Sequence, residues 1–239
     1  MPLRKNDLKA QLTFGEKVTA FNMKLQYTGK LPKGFAVLNP FFDNPETMEV
    51  MSCFYKKFYD DNRKRKFIIG INPSRHGAGL TGVPFTDTKR LDTYCGIKMK
   101  SAYSHEVSSV FMYDMIAAYG GVDKFYRNFY INSPFPLAII RETGNGSWTN
   151  ANYYDDKTLM TLTEPFMADS MKQHISLGLN TEEVYVLGKR NAECLQRLNK
   201  KYHLFNTLVA LEHPRFIQQY KFRERDMYID KYLQVLSGT

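Results

Sequence analysis

Phe67-Ile68-Ile69, running directly into Gly70-Ile71-Asn72-Pro73-Ser74, is the stretch that most limits what this chain can become. A short apolar run of this kind makes a buried strand. A strand that empties into glycine, asparagine and proline has stopped serving the core and begun to place backbone at a surface crevice. In open α/β sheets that crevice, at the carboxyl ends of the strands, is where ligands bind. The loop runs on through Gly77, Gly79 and Gly82 to Val83-Pro84-Phe85. Its glycines let the main chain approach a flat ligand closely, which a Cβ would prevent. Asn72 supplies a neutral donor and acceptor at the strand end, and Phe85 supplies a π-face at the far end of the loop. The loop suits something planar.

The same pattern recurs. Phe67 to Ile71, Phe129 to Asn132, Val184 to Gly188 and Thr207 to Leu211 have strand character. Helical patterns lie between them: Met48, Met51, Tyr55 and Phe58 at helical spacing, then about 104–119, about 158–177, and a helix after Gly188 carrying Leu195 and Leu198. A closing segment, about 216–236, places Tyr228, Tyr232 and Val235 on one stripe. Alternating strands and helices predict an α/β fold, a three-layer α/β/α sandwich around a central, mostly parallel four-stranded sheet. Right-handed crossovers then bring the loops after Ile71, Asn132, Gly188 and Leu211 to one rim. Residues 29–45, rich in Pro, Gly and Asn, read as irregular.

The chain has 239 residues and 43% hydrophobic content, enough for one domain, 1–239. Within it, 1–35 read as an N-terminal arm or helix and 36–239 as the core. Lys+Arg 33 against Asp+Glu 24 gives a net charge of +9. That excess suits a polyanionic partner or an acidic surface, although basic charge also simply keeps a protein in solution. No apolar run approaches the roughly 20 residues that span a bilayer. Met1 to Asp7 lack the apolar core of a signal peptide. A cytoplasmic, reducing setting without membrane attachment is the expectation. Cys53, Cys95 and Cys194 share no metal-type spacing, so each is expected to fill a buried or semi-buried site, with no metal and no cofactor. Three cysteines also fall short of the four that hold an iron–sulfur cluster.

Three further features mark the rim. Asn132, followed by Ser133-Pro134-Phe135-Pro136-Leu137, is an amide held stiffly at a strand end. It can form a bidentate pair with a base edge or simply cap a turn. His213 closes the last strand and is fixed by Pro214, with Arg215 next; His76, inside the glycine loop, is its rival as an active imidazole. Lys189 and Arg190 open a helix whose backbone N–H groups favour a phosphate. Arg63 to Lys66 lie at the opposite end of the first strand and read as a solvated turn.

Together these motifs resemble the uracil-DNA glycosylase superfamily, most closely its single-strand-selective monofunctional branch, in a divergent, bacterial-type form. The branch's first motif, G-M-N-P-G followed by T-G-V-P-F, is matched by Gly70, Asn72, Pro73 and Thr81 to Phe85. Asn132 with the Pro-Leu that follows resembles the second motif, and His213-Pro214-Arg215 the last. Val37-Leu38-Asn39-Pro40 looks like the family's leading segment. The likeness extends from about residue 35 to the C-terminus. The departures are Ser74 for the family's second glycine, Ala78 where a methionine is usual, and a shortened last motif. His213 argues against the mismatch-specific branch, Asn72 against the branch with an aspartate and tyrosine, and the cysteine count against the cluster-bearing branches.

The resemblance implies a monomeric, monofunctional enzyme of base excision repair that flips uracil or a related deaminated base out of single- or double-stranded DNA and hydrolyses its N-glycosidic bond. It implies Asn72 and His213 as catalytic residues, and Gly70, Ile71, Ser74, Ala78, Phe85 and Asn132 as base-binding. Arg75, His76, Lys189, Arg190 and Arg215 would contact DNA, with Arg215 as wedge. The room left by Ala78, with Arg75 or His76 in reach, extends the expected substrates to xanthine or hypoxanthine. A non-catalytic reader of damaged bases and a hydrolase of free nucleosides are the alternatives.

Overall fold

The computed structural model describes residues 11–238, so the Met1–Asp7 reading lies outside the described residues. Seven strands occur among them: β1 (Phe35–Leu38), β2 (Arg65–Ile69), β3 (Phe129–Asn132), β4 (Ala138–Glu142), β5 (Trp148–Ala151), β6 (Leu179–Leu187) and β7 (Thr207–Leu211). The four predicted strands are β2, β3, β6 and β7, and they form one parallel sheet in the order β3-β2-β6-β7. Phe67, Ile68 and Ile69 are all buried although successive residues face opposite sides. Both faces of the sheet are therefore covered, giving the α/β/α layering expected. The chain leaves β2 towards β3 on one side and later returns to place β6 on the other. Loops diverging in this way open a crevice at the strand ends.

The second sheet, β1-β4-β5, is antiparallel and was not foreseen. Residues 29–45 are not wholly irregular: they contain β1 and a short helix, Pro40–Asp43. β1 is half-buried along its whole length, so no alternation marks it, and its partner β4 lies about a hundred residues away. The closing segment is three elements rather than one stripe. Helix Pro214–Tyr220 ends at Lys221, a 3-10 turn covers Phe222–Glu224, and helix Arg225–Ser237 buries Tyr228, Tyr232 and Leu236.

In the basic run at 63–66, Arg63 and Lys64 are exposed as expected, but Arg65 is not. Arg65 is fully buried, with its guanidinium forked onto Asp61 at 2.9 and 3.1 Å and its Nε donating to the Tyr126 carbonyl at 2.8 Å. The rings of Phe14 and Tyr59 sandwich it at 4.9 and 4.6 Å. This charge fastens helix Phe14–Lys24, capped by Thr13 and Glu16, to the foot of β2. Cys95 and Cys194 are buried as expected, but Cys53 is exposed.

Asn191, in the first turn of helix Lys189–Tyr202, is fully buried between the two sheets' working ends. Its Nδ2 lies 3.3, 3.1 and 3.1 Å from the carbonyls of Ile69, Gly70 and Leu187, and its Oδ1 accepts the Tyr153 hydroxyl at 2.6 Å. Asn191→Ala leaves these buried groups unpaired and is expected to lower stability by about 1–3 kcal/mol, read as a shift of the urea midpoint.

Candidate active site

The ends of β2, β3 and β7 converge on one cleft of about 450 Å³, part of it open to solvent. Gly70, Ile71, Asn72, Ser74, Ala78, Phe85, Asn132 and His213 all line it. The convergence follows from register. Ile69 pairs with Asn132, and the Gly70 N–H donates to the Asn132 carbonyl at 2.8 Å, so the first two motifs are neighbours. The Gly188 N–H donates to the Leu211 carbonyl at 2.7 Å, which brings the end of β7, and so His213, in beside them.

Phe85 forms one wall. A Cβ on Gly70 would lie 2.9 Å from its ring, so glycine is what admits the phenyl here. Phe85 itself has φ +53, a left-handed conformation that costs a side-chain-bearing residue about 1–2 kcal/mol. Buried Thr81 holds the loop in that shape, its hydroxyl donating to the Thr86 carbonyl at 2.6 Å and accepting from the Val83 N–H at 3.2 Å. That accounts for threonine at the head of T-G-V-P-F.

The polar groups are fixed by hydrogen bonds to the groups around them. Asn132 is buried; its Oδ1 accepts from the Ser133 N–H at 2.9 Å and its Nδ2 donates to the Tyr130 hydroxyl at 2.7 Å. Asn72 reaches across to the end of β5. Its Nδ2 donates to the Ala151 carbonyl at 3.0 Å and its Oδ1 accepts from the Tyr153 N–H at 3.2 Å. Each amide oxygen keeps a second lone pair. His213 caps helix Pro214–Tyr220, its Nδ1 accepting from the Arg215 N–H at 3.2 Å. Burial, with Arg215 adding to it, pushes its pKa down to about 4. The ring is therefore neutral at pH 7, with its proton on Nε2 as a donor. It lies 5.7 Å from Phe85, centroid to centroid.

Glu106 and Ser108 also line the cleft and were not anticipated. The Glu106 Oε1 accepts from Ser74 at 2.9 Å and from Ser108 at 3.3 Å. Burial raises its carboxyl above the ordinary range, while those two hydroxyls pull the other way. A Cβ on Gly77 would sit 1.9 Å from its Oε2, so the loop glycine makes room for the carboxylate. Buried Asp87 accepts the Glu106 N–H at 2.7 Å and so brings it there. Glu106 lies 21 residues beyond Phe85, where the motif ends, and only Gly77 hinted that something presses on the loop.

None of the residues expected to contact DNA lines the cleft. Arg75 donates through Nε to His76 at 3.0 Å, and His76 is exposed. A neighbouring recess is lined by His76, Glu106 and Arg215. Arg215 and Lys189 are exposed, while Arg190 donates to the Tyr154 carbonyl at 2.7 Å and stacks on that ring. Of the two rival imidazoles, His213 lines the cleft and His76 does not. Among the described residues no group of three His, Cys, Asp or Glu side chains is placed to hold a metal.

The crevice thus combines an aromatic wall, two oriented amides and a neutral imidazole donor at the ends of a parallel sheet. The Uracil DNA glycosylase superfamily profile matches residues 56–237, and the chain belongs to that superfamily. Among solved structures it is similar to wild-type SMUG2 of Pedobacter heparinus, with 46% sequence identity and a TM-score of 0.93 over 95% of this chain and 98% of that one. That places the likeness in the branch whose motifs the sequence resembles. No curated protein sequence matches the chain.

The two depressed histidines set a pH dependence. An unfolded histidine takes up its proton near about pH 6.5, whereas folded His213 does so at about 4 and fully buried His174 at about 3. The unfolded chain therefore binds more protons as pH drops from about 6.5 towards 4, so stability falls over that window. The urea midpoint is expected to be level above pH 7 and to decline below 6.5, less steeply in His213→Asn.

Proposed function

We propose that the chain is a monofunctional DNA glycosylase that receives uracil, or a related deaminated base, flipped from DNA and hydrolyses its N-glycosidic bond to leave an abasic site. The observation that carries this reading is that the Asn132 amide and the neutral His213 border one cleft walled by Phe85. Phe85 would stack on the flipped base. The free Nδ2 hydrogen and open Oδ1 lone pair of Asn132 would pair with the C=O and N–H edge of uracil. Cytosine presents the reverse order, and a mismatched buried amide costs about 1–3 kcal/mol.

As the bond to C1′ breaks, negative charge builds on the base, and the Nε2–H of His213 would stabilise it without first needing a proton. The open lone pair on the Asn72 Oδ1 would hold the attacking water. An amide is too weak a base to deprotonate water, so the route is dissociative, through an oxocarbenium-like sugar. None of the residues lining the cleft is a lysine, which supports hydrolysis without Schiff-base chemistry or strand cleavage. Arg215, Lys189, Arg75 and His76 would meet the DNA around the opening, and Arg190 through what its contact with Tyr154 leaves free. Ala78, a small side chain, lines the cleft together with Ser74, and on that ground the proposal extends to xanthine and hypoxanthine.

Labelled oligonucleotides carrying uracil, xanthine, hypoxanthine and cytosine, treated with alkali after incubation, test the reading. Strand breaks only after alkali, with cytosine untouched, are the expected result. Tight binding with no abasic sites would instead indicate a non-catalytic reader. His213→Ala is expected to slow uracil release by about 10²–10³-fold with little loss of DNA binding, and Asn132→Asp to alter base choice. Wild-type rates in both variants would overturn the site. Because His213 stays neutral, the single-turnover rate should show no histidine inflection between pH 5 and 8.

A further inference from the structure

Behind Asn132 stands a chain of buried groups that the strand-end motifs leave unexplained. The Tyr130 hydroxyl that accepts from the Asn132 Nδ2 at 2.7 Å lies 3.3 Å from Nδ1 of His174. Tyr130 is on β3, two residues before Asn132, and His174 is near the end of helix Lys157–Ser176. Both are fully buried. The His174 ring is packed against Phe21 at 4.7 Å and Phe67 at 5.6 Å, between centroids.

A hydroxyl carries one proton. Since Tyr130 accepts from Asn132, its own proton goes to His174, so Nδ1 must be bare and the imidazole proton must sit on Nε2. The opposite tautomer would leave the Tyr130 proton with no acceptor. Burial keeps the ring neutral, as this requires. Nε2 has no partner within hydrogen-bond distance, although the Ser133 carbonyl acts on the ring. A buried N–H so weakly paired is costly, and a histidine placed there points to a task beyond packing.

The task is visible at the other end. An Asn amide turned by half a revolution swaps donor and acceptor, and so swaps the uracil pattern for the cytosine pattern. The Ser133 N–H, 2.9 Å from Oδ1, opposes that turn from one side, and the Tyr130 oxygen opposes it from the other. We propose that Tyr130 and His174 are positioning residues for base choice, a buried relay that locks the Asn132 amide in the uracil-reading orientation. The inference rests on the glycosylase reading above.

The test uses the full chain and single-turnover uracil release at saturating enzyme, with active enzyme counted by binding to DNA bearing a tetrahydrofuran abasic analogue. Tyr130→Phe and His174→Leu, which break the relay, are expected to slow release tenfold or more. His174→Asn, whose Oδ1 can stand where Nδ1 stood, is expected to stay within threefold of wild type although it loses the same ring. A merely structural role would make the two His174 variants alike. Wild-type release in Tyr130→Phe, or equal losses in His174→Asn and His174→Leu, overturns the relay. If His174→Leu does not fold, Tyr130→Phe and His174→Asn decide. If wild-type protein releases no uracil, the glycosylase reading fails. The relay is then judged by nitrogen NMR of His174: a bare Nδ1 at pH 7 supports it and a protonated Nδ1 overturns it.

Discussion

The Asn191 side chain is the joint on which the active end depends. One amide receives the hydroxyl proton of Tyr153 and lies against the carbonyls that end β2 and β6. Those carbonyls belong to the last residues of the two strands and to Gly70 just beyond β2. Asn191 supplies donors there, and through Tyr153 it fixes the backbone N–H that orients Asn72. Asn191 thus joins Asn72 in tying the parallel sheet to the antiparallel one.

The polar groups of the cleft share a second property: each is neutral and each accepts from a backbone N–H that helps set its direction. Asn132 is held by the Ser133 N–H, Asn72 by the Tyr153 N–H and Ala151 carbonyl, and His213 by the Arg215 N–H. Neutral groups can be buried at far lower cost than charged ones, and groups already oriented need no reorganisation when charge develops on a substrate. The strain at Phe85 belongs to the same design, since a left-handed backbone turns its ring onto Gly70 and towards His213. Glu106 is the exception, a carboxylate kept in the cleft by two hydroxyls and a glycine that leaves it room.

Much of this was legible before any coordinates. Phe67 to Ile69 and residues 184–187 are buried on both faces and read as continuous β-rich runs, which makes them conspicuous, and the short runs at 129 and 207 show by their β-branched and aromatic residues. β1, β4 and β5 escaped notice because their burial is partial or uneven and their partners are remote in sequence. The charge pattern misled at Arg65. A cation in a basic run is ordinarily solvated, and nothing local reveals that Asp61, Phe14 and Tyr59 will enclose it. His76 and His213 looked alike as neighbours of proline or glycine, and were separated only by which one lines the cleft.

By itself the sequence determined the α/β class, the four parallel strands and seven of the residues that meet at their ends. Local apolar patterning and turn chemistry act over a few residues and are readable there. Tertiary structure alone decided which way each amide faces, which histidine enters the cleft, and that Glu106, Asn191, Tyr130 and His174 join the site. Those choices depend on hydrogen bonds between groups far apart in the chain. Such bonds exist only once burial has removed water as the competing partner.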